Sequence, residues 1–269
     1  MNNIVACIDG SRASPSVCDH AAWVSRCMDL PVVLLHVSTQ PETSGTRPPP
    51  QEQAQQQGRQ LSQKQGQTLL NEASDRLMRQ GILEPGNLLR QGDIAQMLQE
   101  LQHEARIVVV GRQGNHSKGD MQQVGRHLET IIRTLGTPVL IVPEHYATPQ
   151  RFLIAYDGSE AANKVVARVA QSRLLSGLSG HLLMVSKDNA DNRAMIHAAQ
   201  SILERKGFTM RAEVRTGPVE ESLTAYQEDH DIQLTVMGPL GHSRVRQFFV
   251  GSTTTRMLKR SRTPLLILR

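Results

Sequence analysis

Aromatic residues are scarce in this 269-residue chain, at 3% of the sequence. Aliphatic residues are plentiful, so the chain can still bury a sizeable aliphatic core. Phe248 and Phe249 form a single adjacent pair, better suited to packing before Gly251 than to stacking on bases. Cysteine is equally sparse. Cys7, Cys18 and Cys27 are odd in number and lack CxxC spacing, which points to reduced thiols in a cytoplasmic protein rather than a disulfide framework or metal site. No apolar run approaches the ~18 residues of a transmembrane helix, so no membrane partner is expected. The opening MNNIVACIDGSR lacks the basic region and long apolar stretch of a secretory leader. The signatures of a hydrolase elbow, a zinc protease helix and a Walker phosphate loop are also missing. No catalytic residue is assigned, and whether the chain is an enzyme stays open.

What is present is a duplication. IVACIDGS (4–11) returns as FLIAYDGSE (152–160), each an apolar strand ending in Asp-Gly-Ser, at Asp9 and Asp157. LPVVLLHVS (30–38) returns as SGHLLMVS, NLLRQGD (87–93) as AEVRTGP, ARIVVVGRQG (105–114) as IQLTVMGPLG, and TPVLIVP (137–143) as TPLLILR (263–269). Landmarks recurring in one order make two tandem copies of one unit, with domains at 1–146 and 150–269. Helical periodicity lies between the strands: 14–28 and 163–175, 69–78 and 192–206, 94–102 and 218–229, then 128–135 and 254–259. Five strands alternating with helices imply an α/β fold, a parallel doubly wound sheet with helices on both faces. With the first strand central, the order within each copy is 3-2-1-4-5.

The copies differ most at 39–67. There PETSGTRPPP precedes nine glutamines between Gln51 and Gln67, a composition expected to form an extended, unstructured insertion leading into a polar helix. Charge is uneven too. From Gly238 to Arg269 there are seven Arg or Lys residues and no acid, within a net charge of +5. Such a bias suits an anionic ligand, and as an alternative a nucleic acid bound on a basic C-terminal face.

The stretch TVMGPLGHSRVRQFFVGS (235–252) gathers the parts of a phosphate cradle. A buried strand leads to Gly238 and Gly241, and Gly251 precedes the hydroxyls of Ser252 to Thr255 at a helix start. Glycine permits close backbone approach to an anion, and free N–H groups at a helix N-terminus bind it. In an open parallel sheet, ligands sit at the carboxyl ends of strands where the order reverses, here between strands one and four. Asp157 ends one of these strands in the second copy and Gly238 ends the other, so both face one crevice.

Asp157, the spacing Gly238-x2-Gly241-x9-Gly251-Ser252 and the closing TPLLILR resemble the universal stress protein family, in a tandem form spanning nearly the whole chain. The resemblance implies two flavodoxin-like, Rossmann-like domains of the adenine nucleotide alpha hydrolase type. It also implies ATP binding, with or without Mg2+, in the copy that keeps the glycines. Asp157 and the backbone near Val185 would then meet the adenosine part, Gly238, Leu240, Gly241, Gly251, Ser252 and Thr253 would surround ribose and phosphates, and Ala155 and Met237 would complete the nucleotide-binding set. The first copy departs from the pattern: Gly111 and Gly114 are kept, Gly119 is extra, Gly125 falls one residue late and Arg126 replaces the serine. Nucleotide is therefore expected mainly in the second copy, in a regulatory or signalling role, with a slow ATP hydrolase as the enzymatic alternative. The fifth strands, 139–142 and 265–268, are expected to pair as an internal pseudo-dimer, leaving room for a further homodimer.

Overall fold

The computed structural model describes residues 3–38, 52–112, 121–238, 257 and 261–269. The first repeat runs β1 (Asn3–Cys7), α1 (Ser14–Met28), β2 (Val32–Ser38), α2 (Glu52–Arg79), β3 (Gly86–Gln91), α3 (Ile94–Leu101), β4 (Ala105–Gly111), α4 (Met121–Thr134) and β5 (Val139–Val142). The second runs β6 (Arg151–Ala155), α5 (Glu160–Val169), β7 (Ser179–Val185), α6 (Ala190–Glu204), β8 (Thr209–Arg215), α7 (Val219–Asp229), β9 (Leu234–Met237) and β10 (Leu265–Ile267). Strand and helix alternate throughout, as the two repeats require.

The ten strands among the described residues join one sheet, ordered β3-β2-β1-β4-β5-β10-β9-β6-β7-β8. Neighbours within each repeat are parallel. At the centre β10 meets β5 antiparallel, pairing Leu265 with Ile141, Leu266 with Leu140 and Ile267 with Val139. A run such as Val-Leu-Ile-Val can take that place because both its faces are covered. Alternation along the strands divides the core. Ile4, Ala6, Phe152 and Ile154 pack with α1, α2, α5 and α6 on one face. Val5, Val108, Leu153 and Leu183 pack with α3, α4 and α7 on the other.

The insertion differs from expectation in its second half. Residues 39–51 lie outside the described residues, but the glutamine-rich stretch from Glu52 belongs to α2, a helix of 28 residues. Gln, Ala, Lys and Arg all have good helix propensity, and the last proline before the helix is Pro50. α2 is held to α1 by a polar lock. Arg76 Nε and Nη2 donate to the two oxygens of Asp19 at 2.8 and 2.7 Å, and the Gln80 amide donates to the same carboxylate.

Two buried histidines make the fold sensitive to acid. His20 is fully buried, its Nδ1 2.8 Å from the Ser16 carbonyl oxygen, and its ring meets Tyr146 edge-on at 4.7 Å. Burial pushes its pKa down to about 4, against the pull of the Ser16 carbonyl and Asp19. His181 is likewise pushed down to about 4, by burial and then by His230, Arg211 and Arg151; its Nδ1 lies 2.9 Å from the Tyr226 hydroxyl. Below the ordinary histidine pKa the unfolded chain binds protons that these folded groups refuse. Their stabilisation is therefore whole above about pH 6.5 and is lost as pH falls towards 4. Between about pH 6.5 and 5, above most carboxylate titration, His20 alone should cost about 2 kcal/mol. Urea unfolding of wild type and His20→Asn across that range checks this; equal slopes against pH for both proteins would refute it.

Candidate functional site

Parallel pairing sets β6 beside β9, with Phe152 opposite Leu234 and Ile154 opposite Val236. β7 lies on the other side of β6, with Ala155 opposite Leu183. The carboxyl ends of β6, β7 and β9 therefore emerge together at the point where the strand order reverses. Ala155, Val185 and Met237 are the last residues of those strands; Gly238 follows Met237 directly, and Asp157 comes two residues after Ala155. These five expected residues are brought together at the carboxyl end of the sheet. Leu240, Gly241, Gly251, Ser252 and Thr253 lie outside the described residues.

The Asp157 turn is built locally. Asp157 Oδ1 accepts the Ser159 backbone N–H at 3.0 Å, an Asx turn, and Gly158 takes φ +75°, where a side chain would be strained. Ser159 then caps α5, its hydroxyl accepting the Ala162 N–H at 3.1 Å. One residue back, the Tyr156 hydroxyl donates to Asn163 Oδ1 at 2.7 Å, and burial followed by the nearby Asp157 raises its pKa. The triplet thus has a structural role in turning the chain into α5, whatever else it does. Gly238 is different. Its φ is not positive, and an added Cβ would meet only Val165 Cγ2, at an ordinary 3.7 Å. Among the described residues, neither backbone conformation nor packing requires glycine at that strand end.

The first repeat has the same turn with different surroundings. Asp9 Oδ1 accepts the Ser11 N–H at 3.0 Å and the Ser14 hydroxyl at 3.2 Å, and Gly10 has φ +73°. Cys7 stands where the second repeat has Ala155, opposite Leu35, as Ala155 is opposite Leu183. Gly111 ends β4, and Arg112, next in sequence, donates from Nη2 to the Thr263 carbonyl of the other repeat at 3.1 Å. Burial lowers the Arg112 pKa, and its Nε has no partner among the described residues. Gly125 and Arg126 fall inside α4, which begins at Met121, so they do not stand at a helix N-terminus. Gly114 and Gly119 lie outside the described residues. A cavity of about 340 Å³ opens beside the Gly10–Ser11 turn, between α1 and α2, lined by Ser14, Leu69, Glu72 and Arg76. No residue of β4 lines it, so it is not the crevice between β1 and β4.

Reasoning from the sequence missed the Arg112–Thr263 contact, for nothing in a strand-end Gly-Arg dipeptide signals a partner 151 positions away. In the loop after β7, Asp188 is paired with Arg193 through both oxygens at 2.5 and 2.6 Å. No cluster of three or more metal-ligating side chains occurs among the described residues.

The universal stress protein family profile matches residues 1–143 and again 149–269. The chain belongs to that family. A universal stress protein of Synechocystis sp. is 30% identical over the whole of both chains. A crystallised universal stress protein from Archaeoglobus fulgidus shares the fold at a TM-score of 0.78 and 17% identity, covering all of this chain and 96% of its own. A putative universal stress protein from Pseudomonas aeruginosa gives 0.65 at 14% identity, with coverage of 100% and 93%. This is therefore a tandem universal stress protein with an α/β architecture. Among the described residues no helix is long and apolar enough to cross a membrane.

Proposed function

We propose that the second repeat of this universal stress protein binds an adenine nucleotide, ATP first among them, and that the chain signals through the bound state rather than by turnover. The observation that carries the reading is the meeting of β6 and β9 at the reversal of strand order, with the Asp157 turn after one and Gly238 after the other. A glycine that neither its own backbone nor packing among the described residues demands suits a site where something else must come close. Ala155, Asp157, Val185 and Met237 face the adenosine part in this proposal. Gly238, Leu240, Gly241, Gly251, Ser252 and Thr253 take the ribose and phosphates, with Mg2+ accompanying ATP where the phosphates need neutralising.

The domains proposed are 1–146 and 150–269, set as an internal pseudo-dimer about the β5–β10 pair, in a cytoplasmic protein. The first domain serves structure or regulation. Cys7 in place of alanine, and a helix that starts before Gly125, make its crevice a poorer nucleotide site. Isothermal titration of the full chain with ATP should give one equivalent per chain, with or without Mg2+, and no phosphate release over hours. Absence of heat at millimolar ATP removes the reading; steady release of phosphate replaces it with a slow hydrolase.

A further inference from the structure

Met195, on α6, is 40% exposed, and its sulfur covers the glycine of the Asp157-Gly158-Ser159 turn. A Cβ built on Gly158 would stand 2.1 Å from Met195 Sδ, so the thioether fills the space beside the turn. In the first repeat the same place over Gly10 belongs to Leu69, whose methyl carbons lie 3.1 Å from a Cβ built there. The residues that follow confirm the correspondence: Leu70, Ala73 and Leu77 of α2 are buried just as Ile196, Ala199 and Leu203 of α6 are. The turns themselves match, with φ +73° and +75° and an Asp–Ser N–H hydrogen bond of 3.0 Å in each. An oxidisable sulfur therefore replaces an inert aliphatic group only beside the turn assigned to nucleotide. Met184, Met210, Met237 and Met257 are buried, whereas Met78 and Met195 stand well exposed.

We propose that Met195 is a modification site, a thioether that hydrogen peroxide converts to the sulfoxide, and that this change loosens the Asp157 turn and weakens nucleotide binding by the second repeat. The inference rests on the nucleotide reading given above. In the reaction the sulfur lone pair attacks one peroxide oxygen, the O–O bond breaks and an S–O bond forms. Sulfur loses two electrons, and the departing hydroxide takes the proton of the transferred OH and leaves as water. The product is polar, larger and a strong hydrogen-bond acceptor. Held against Gly158, the new oxygen competes with Asp157 Oδ1 for the Ser159 N–H and needs room that the sulfur already fills. Sulfoxide reductases reverse the change, so it can act as a switch.

The test treats the full chain with hydrogen peroxide, maps sulfoxides by peptide mass spectrometry, and titrates ATP before and after. Met195 and Met78 should convert ahead of the four buried methionines, and ATP affinity should fall roughly tenfold. Met195→Leu, which installs the side chain found over Gly10, should bind ATP like wild type and keep its affinity after peroxide; Met78→Leu should lose affinity as wild type does. Unmodified Met195 beside oxidised buried methionines would overturn the inference. So would unchanged affinity at full conversion, or equal loss in Met195→Leu. Hydrogen exchange at the Ser159 amide separates the two readings, since it should quicken on Met195 oxidation even if untreated protein binds no ATP.

Discussion

Leu266→Asp is expected to leave no stably folded protein. Leu266 sits in the central strand pair, 2% exposed, opposite Leu140 at 0% and beside Val236 in the parallel direction. A carboxylate there has no cation within the strand ladder and cannot reach water, so it must either protonate or expel its strand from the sheet. The cost should exceed about 4 kcal/mol, a large share of the ~5–15 kcal/mol by which domains are stable. Leu266→Ala is the gentler companion, expected to cost about 2–5 kcal/mol through lost contacts and a residual void. Both repeats share the seam, so Leu266→Ala should still unfold in one transition by circular dichroism. A wild-type urea midpoint for Leu266→Asp would show that β5 and β10 do not depend on each other.

Gly241→Val is expected to abolish measurable ATP binding, a loss of at least roughly a hundredfold or about 2.7 kcal/mol. Gly241 stands three residues beyond Gly238, in the spacing that a phosphate-binding loop needs. A branched side chain at such a position blocks backbone approach to an anion and removes conformations open to glycine. Its counterpart Gly114→Val should leave the titration unchanged, because the first repeat is not where ATP is assigned. Asp157→Ala should also weaken binding, but with some loss of stability, since its carboxylate holds the Ser159 N–H. Equal affinities for wild type and Gly241→Val, with ATP bound to both, would move the site elsewhere in the molecule.

The fold was readable because repetition tests itself. One run such as IVACIDGS is ambiguous between strand and buried helix, but a second copy with the same ending and the same successors is not. Alternation along β1 and β6 could be read directly, and it sorts their residues between the two layers. In the glutamine-rich stretch low complexity points to disorder and hides where the polar helix begins, whereas helix propensity together with Leu70, Ala73 and Leu77 on its buried face carries α2 back to Glu52. At the site, strand ends were legible from glycine and aspartate, since those residues mark where extended chain stops. Contacts made by flexible side chains were not. Arg112 reaching Thr263 and Met195 lying on Gly158 depend on helix placement and rotamers, which no short motif encodes.

The antiparallel join of β5 to β10 has a consequence for inheritance. A pair of separate subunits comes apart on dilution, and each must keep every feature that assembly and ligand capture demand. Fusing them in one polypeptide holds the halves at an effective concentration set by the short tether from 143 to 150, so assembly no longer depends on abundance. One half is then released from selection on its own ligand loop, provided it still supplies an edge for its neighbour. Cys7 against Ala155, and a helix already under way before Gly125, are places where the two halves of this chain differ.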